Sequence, residues 1–177
     1  MRIGGFSLVE VLVALCVLAA GVLGAVAAQG TALRTRHETR LASQAVVLAG
    51  SLADAMRANA ALFLVPDGGN PYLQLDFDAA ASTPPAPAAC VQLACSAVEQ
   101  ARTDVAVAAQ ALAAQFPGGR VAVCRDVQVA EGALAWDCVG GPGATVVIKI
   151  GWAVRYADAT AAERARPRLV LAVPELG

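Results

Sequence analysis

Residues 6–28, FSLVEVLVALCVLAAGVLGAVAA, constrain the chain more than any other stretch, because among 23 positions only Ser7 and Glu10 are strongly polar. About 20 consecutive apolar residues are enough for a helix to cross a bilayer, so this segment is long enough to span one. Glu10 is the anomaly. A carboxylate within a membrane helix costs on the order of 2.5–3.5 kcal/mol on insertion scales, and such a group is by default a functional residue with a partner. Before the segment stands a short basic leader, MRIGG, whose one charged side chain is Arg2.

Two plainer readings compete. A secretory signal has a basic start, an apolar core and an A-x-A cleavage site, and Ala25-Val26-Ala27 would serve. Against it, the apolar core carries a glutamate and the start is five residues long with paired glycines. A plain anchor with an incidental glutamate is the other. Topology is contested as well: Arg34, Arg36 and Arg40 follow the span, which the positive-inside rule would place on the cytoplasmic side.

The cysteines argue the opposite direction. Cys16 lies in the apolar run and reads as a small apolar residue, whereas Cys90, Cys95, Cys124 and Cys138 all lie beyond it. An even number in a small exported domain reads as two disulfides, which puts the domain in the periplasm. The length of 177 residues allows one modest domain plus an anchor. A net charge of −1 suggests no nucleic-acid partner. Aromatics are only 5%, so the core is light and leans on staples.

Helical periodicity continues past residue 28. Leu33, Leu41, Ala45, Leu48, Leu52 and Met56 form an amphipathic stripe with Arg34, Arg36, Glu38, Arg40, Gln44, Asp54 and Arg57 on the other side. With no proline before Pro66, one helix is expected from about Phe6 to about Ala61, apolar all round over 6–28 and amphipathic over 29–63. Gly21, Gly24 and Gly30 are soft points where it could bend. Such a helix, some 80 Å long at 1.5 Å per residue, would carry a domain at one end like a lollipop. Residues 64–95 are rich in proline and glycine and read as loop, with a short strand near Tyr72–Phe77. Asp67, Asp76 and Asp78 lack the ligand spacing of a calcium loop and read as solvated turn residues.

Cys90 and Cys95 are four residues apart, unlike the usual two-residue spacing of zinc pairs, and His37 is the only histidine. A local disulfide is the better reading, and no metal or cofactor is expected. Ser96-Ala97-Val98-Glu99 has the pattern of a capping box, opening a helix over about 96–115 that puts Val98, Ala101, Val105, Leu112 and Phe116 on one face and stops at Pro117-Gly118-Gly119. From Arg120 the period becomes two. RVAVCRDVQV, ALAWDCV, TVVIKIGWAVRY and PRLVLAV read as four strands of an antiparallel meander, with turns at Glu131-Gly132 and Gly140–Gly143 and a polar connection at 157–166. A turn centred on Glu131 would set Cys124 opposite Cys138, a natural cross-strand disulfide. The fold class is α+β, with the stripe on residues 41–56 covering one face of the sheet.

The run GG-FSLVEVLVAL at 4–15 resembles the class III signal of type IV prepilins and pseudopilins. In that family the leader, here residues 1–5, is cut after the glycine that is Gly5. The new N-terminus, here Phe6, is N-methylated, and the glutamate that is here Glu10 takes part in assembly. The resemblance gives the spacing a physical sense. A cationic Phe6 amine on one subunit would meet a carboxylate one turn along the helix of a neighbour, near a helix N-terminus where a negative charge is favoured. A long helix packed on an antiparallel sheet is also the pilin architecture. Together with FPGG at 116–119, VAVCRD, Trp136 with Cys138, and VVIKIGW, the chain is most similar to the minor-pilin family of type IV pilus modification proteins (PilV). No cysteine follows Cys138, unlike major pilins, which close a C-terminal loop with a disulfide.

What the resemblance implies is a structural subunit. Its partners would be the prepilin peptidase, the major pilin and other minor pilins through the first helix, and the inner membrane, with the N-terminus cytoplasmic and the domain periplasmic before incorporation into a pilus at the cell surface. A minor pseudopilin of a type II secretion system is an alternative, and a tip adhesin contacting a surface through loops 64–89 or 157–166 is another. Catalysis is not expected. The serines have no nearby histidine, and GGPG at 140–143 precedes a strand and so does not cradle a phosphate. No small-molecule substrate is indicated.

Overall fold

The computed structural model describes residues 7–64, 66–87, 90, 94–128, 135–141, 144–153 and 166–176. The chain divides into two compact units, Met1–Arg40 and Leu41–Gly177, and one helix, α1 (Leu8–Ala58), contributes to both. Absence of proline explains its length, and it runs through Gly21, Gly24 and Gly30 without a break.

In the second unit α1 buries Leu41, Ala45, Ala49, Leu52, Ala53 and Met56. Their spacings of three and four make one stripe. Leu48 is only partly buried against it, and Leu33, which the periodicity placed on the same stripe, is 65% exposed in the first unit. Short 3-10 turns follow at Ala60–Leu64, Asp67–Gly69 and Tyr72–Gln74. Buried Asn70 holds this segment together: its Nδ2 donates to Leu62 O at 3.2 Å and its Oδ1 accepts from the Tyr72 N–H at 3.1 Å.

Helix α2 (Ala97–Gln115) starts where a capping box should. Ser96 Oγ accepts from the Glu99 N–H at 3.3 Å, and the Ser96 N–H donates to Glu99 Oε2 at 2.8 Å. It stops at Phe116, and Gly118 adopts a φ of 54°, a left-handed conformation that costs glycine nothing. Ser96→Ala is expected to lower the stability of this unit by about 1 kcal/mol, read as a shifted urea midpoint with unchanged slope.

The sheet has four antiparallel strands in the order β1-β2-β3-β4: β1 (Asp76–Asp78), β2 (Arg120–Asp126), β3 (Thr145–Gly151) and β4 (Leu169–Val173). Four strands are present, but not the expected four. ALAWDCV supplies none among its described residues, 135–139, and the third expected strand stops at Gly151, short of Trp152 and Ala153; residues 133 and 134, the Glu131-Gly132 turn, positions 142–143, residues 154–156 and most of 157–166 lie outside the described residues. The fourth strand is β1, which joins the free edge of β2 from ahead of α2, with Phe77 opposite Val121. β2 pairs directly with β3, and residue 124 faces Val147, so Cys138 does not stand opposite Cys124 in a ladder.

Both faces of the sheet are covered. Val121, Val123, Val146, Ile148, Ile150 and Val173 join the α1 stripe and Leu112 and Phe116 in one core. On the other face Ala122, Val147, Lys149 and Gly151 are buried too, beneath the segment around Trp136. A Cβ on Gly151 would lie 2.8 Å from Trp136 Cζ2, so only glycine lets the indole sit there.

Candidate functional site

In the Met1–Arg40 unit the Ser7 carbonyl accepts from the N–H groups of Glu10 at 3.0 Å and Val11 at 3.3 Å, opening α1 with Glu10 in its first turn. A negative charge there favours the helix dipole. Around and beyond it every large apolar side chain from Leu8 to Val26 is at least half exposed, from Val11 at 50% to Leu8 at 80%. A helix that is apolar all round belongs inside a protein or a membrane, and by length and composition α1 can cross a membrane. The Glu10 carboxylate has no hydrogen-bond or ion-pair partner among the described residues; Gly5 and Phe6, the expected cleavage and methylation positions, lie outside them.

Thr31, Thr35 and Thr39 each donate the side-chain hydroxyl to the carbonyl four residues back, at 3.3, 3.2 and 2.9 Å. Such back-bonding satisfies a hydroxyl without water. Arg34, Arg36, His37, Glu38 and Arg40 are interleaved with these threonines, all exposed.

In the second unit, Cys90 and Cys95 are joined with Cα atoms 5.5 Å apart, as are Cys124 and Cys138 at 6.2 Å. Thr103 Oγ1 on α2 lies 3.3 Å from Cys90 Sγ, so the first bridge is anchored to the helix it precedes. The second ties β2 to the segment that lids the outer face of the sheet, and beneath it lies a cluster that period-two reading did not find. Lys149 and Asp126 are both 1% exposed at the side chain and paired at 2.6 Å. The ammonium donates to Asp126 Oδ2 at 2.6 Å and to the carbonyls of Ala135 and Asp137 at 2.8 Å each. Its three donors therefore meet three acceptors. Asp126 Oδ1 accepts from the N–H groups of Gln128 at 2.9 Å and Val139 at 3.3 Å. Burial pulls the Asp126 carboxyl up, but the Lys149 ammonium and those backbone donors outweigh it and hold the group below the ordinary carboxylate value. The one sequence signal for this was a lysine whose same-face neighbours, Val147 and Gly151, are apolar.

The aspartates of the proline-rich segment are ion-pair and turn residues. Asp76 takes Arg120 in a two-point fork at 2.9 and 2.8 Å, and the same guanidinium lies 4.6 Å from the Trp136 ring centre. Asp67 holds Arg125 at 3.1 Å, and Asp78 Oδ1 accepts from the Ala80 N–H at 2.8 Å. Buried Tyr72 donates to Asp104 Oδ2 at 2.5 Å, and burial, reinforced by that carboxylate, raises its phenol well above the ordinary value. Among the described residues no three His, Cys, Asp or Glu side chains converge in a way that could hold a metal ion. No family model, curated protein or solved structure matches the chain.

Proposed function

We propose that the chain is a minor pilin of a type IV pilus, of the pilus modification (PilV) kind, a structural subunit that is cut by the prepilin peptidase and then packed through its first helix against the major pilin and other minor pilins. The observation that carries this reading is the placement of Glu10. It is a lone carboxylate in the first turn of a helix whose next sixteen residues, 11–26, are all apolar or glycine and exposed, directly after a Gly4-Gly5-Phe6 junction. A membrane helix has no use for that charge, whereas a filament of parallel helices does, because each Phe6 amine needs a counter-charge when water is excluded. Two disulfides on a small alanine-rich domain support an oxidising destination, the periplasm and then the cell surface.

Intact-mass and peptide mass spectrometry of the chain from piliated cells tests the proposal. The expected product begins at Phe6 and carries a methyl group on its amine. A mature chain beginning at Ala28 would instead make residues 1–27 a secretory signal, and the pilin reading would fall.

A further inference from the structure

The Cys124–Cys138 disulfide and the buried Lys149–Asp126 pair share one face of the sheet and one covering segment. Cys124 stands opposite Val147 in the β2–β3 ladder. Asp126 lies two residues beyond Cys124 and Lys149 two beyond Val147, and residues two apart on a strand project from the same face. The pair grips the covering segment on both sides of Cys138. Lys149 donates to the carbonyls of Ala135 and Asp137 at 2.8 Å each, and Asp126 Oδ1 accepts from the Val139 N–H at 3.3 Å. The Val139 carbonyl in turn accepts from the Val127 N–H at 3.0 Å. Cys138 is therefore held through the residue before it and the residue after it.

Desolvation makes this grip all-or-none. Closing the segment over the sheet takes an ammonium and a carboxylate out of water, a cost that is offset only where their donors and acceptors all find partners. Any other register of the segment leaves Lys149 short of acceptors, so the closed position is narrowly defined even without a covalent bond. In that position the Cα atoms of Cys124 and Cys138 are 6.2 Å apart, within the range a disulfide spans. Cys138 is exposed and Cys124 half-buried, which sets the order of the chemistry. The Cys138 thiolate attacks a small-molecule disulfide and expels one thiol. The Cys124 thiolate then attacks Cys138 Sγ, forms the Sγ–Sγ bond and expels the second thiol. Two cysteine thiols are oxidised, and one small-molecule disulfide is reduced to two thiols.

We infer that the Lys149–Asp126 pair and the Cys124–Cys138 disulfide form one redox-sensitive latch, in which the pair presents Cys138 to Cys124 in the reduced chain and the disulfide then locks the segment over the pair. Lys149 is a positioning residue in this oxidation. Coupling of this kind is reciprocal: what the pair adds to disulfide formation, the disulfide adds to closure over the pair. Cys90–Cys95 has no such dependence. It joins residues five positions apart and meets Thr103 on α2, so it serves as an internal control. The latch lies wholly within the Leu41–Gly177 unit and depends on neither the membrane nor the filament reading.

The test equilibrates the full chain, in detergent micelles, with mixtures of reduced and oxidised glutathione. Alkylation and peptide mass spectrometry then give the oxidised fraction of each cysteine pair separately. Lys149→Met is expected to lower the equilibrium constant for Cys124–Cys138 by about tenfold or more, with Cys90–Cys95 unchanged. Leu112→Ala removes buried volume from the core on the opposite face of the sheet and is expected to leave both constants as in the wild type. No change at Cys124–Cys138 in Lys149→Met overturns the inference. An equal fall in Leu112→Ala, or at Cys90–Cys95, also overturns it, because the effect is then one of general stability. If Lys149→Met does not fold, shown by lost near-ultraviolet dichroism, the reverse coupling decides. In Cys124→Ser/Cys138→Ser the Val139 amide is expected to exchange its hydrogen about tenfold or more faster than in the wild type, while Ile148 in the middle of β3 keeps its protection. Equal acceleration of both amides, or of neither, removes the latch.

Discussion

Lys149→Met is expected to destabilise the Leu41–Gly177 unit by about 3–5 kcal/mol, the usual cost of stranding one member of a buried ion pair. The loss has named parts. Asp126 Oδ2 loses its donor at 2.6 Å, and the carbonyls of Ala135 and Asp137 lose theirs at 2.8 Å. Methionine fills the volume but satisfies none of them. Adding Asp126→Asn recovers part of the loss, because the buried charge is gone while an amide oxygen still accepts from the Gln128 and Val139 N–H groups. The pH dependence carries a second signature. In the wild type the folded carboxyl sits below its unfolded value of about 3.9, so its stabilisation is present in full above that value and lost as pH falls through the folded one. In Lys149→Met burial remains without the ammonium, so the folded value rises above the unfolded one and the same carboxyl destabilises increasingly as pH rises. The gap between variant and wild type should therefore be widest at neutral pH and narrow towards pH 4. Urea titrations across that range, with both disulfides intact, measure it; a shift at pH 7 equivalent to under 1 kcal/mol would dismiss the cluster as a structural anchor.

What could be read from the sequence was what is local. The course of α1 follows from an unbroken pattern without proline, and α2 from Ser96 and Glu99 three apart and the Phe116-Pro117-Gly118 stop, because caps and turns are contacts between near neighbours. Strand identity was not local. ALAWDCV alternates like a strand, yet the Ala135 and Asp137 carbonyls point to Lys149 and not to a ladder partner. β1, the three residues DFD, overlaps the short strand expected near Tyr72–Phe77, whose first half is instead the 3-10 turn Tyr72–Gln74; it is too short to show a period, so its place in the sheet was not legible. The cysteine pairings could be suggested from spacing, while the geometry of Cys124–Cys138 differs because β3 takes the place beside β2 that the reading assigned to Cys138. The burial of Lys149 was not legible for a related reason: a strand position on the face away from the helical stripe is solvated only if nothing lies over it, and the covering segment comes from outside the period. Glu10 stood out because a charge in an apolar run violates the surrounding pattern; the partner proposed for it, an amine on another subunit, would leave no mark on this chain.

For Glu10→Ala the expected effects on insertion and on assembly have opposite signs, which makes the substitution more informative than a simple loss of function. Removing a carboxylate from the apolar segment removes an insertion cost of up to about 2.5–3.5 kcal/mol, so the membrane-bound pool should be undiminished. Both disulfides belong to the Leu41–Gly177 unit and should form as before. In an assembled bundle the same change strands a neighbour's Phe6 amine among the apolar side chains of residues 8–26, at about 3–5 kcal/mol. That corresponds to a fall in incorporation of about 100-fold or more, measured as the chain recovered in sheared filaments relative to the membrane fraction. Glu10→Gln separates charge from hydrogen bonding, since it keeps the length and an acceptor oxygen but cannot neutralise an amine. It should fail almost as badly as alanine. If glutamine restores incorporation, the amine–carboxylate pairing is wrong and Glu10 acts as an acceptor only. If alanine itself assembles normally, the carboxylate has no role in the filament, and the argument from its cost in a membrane helix loses its point.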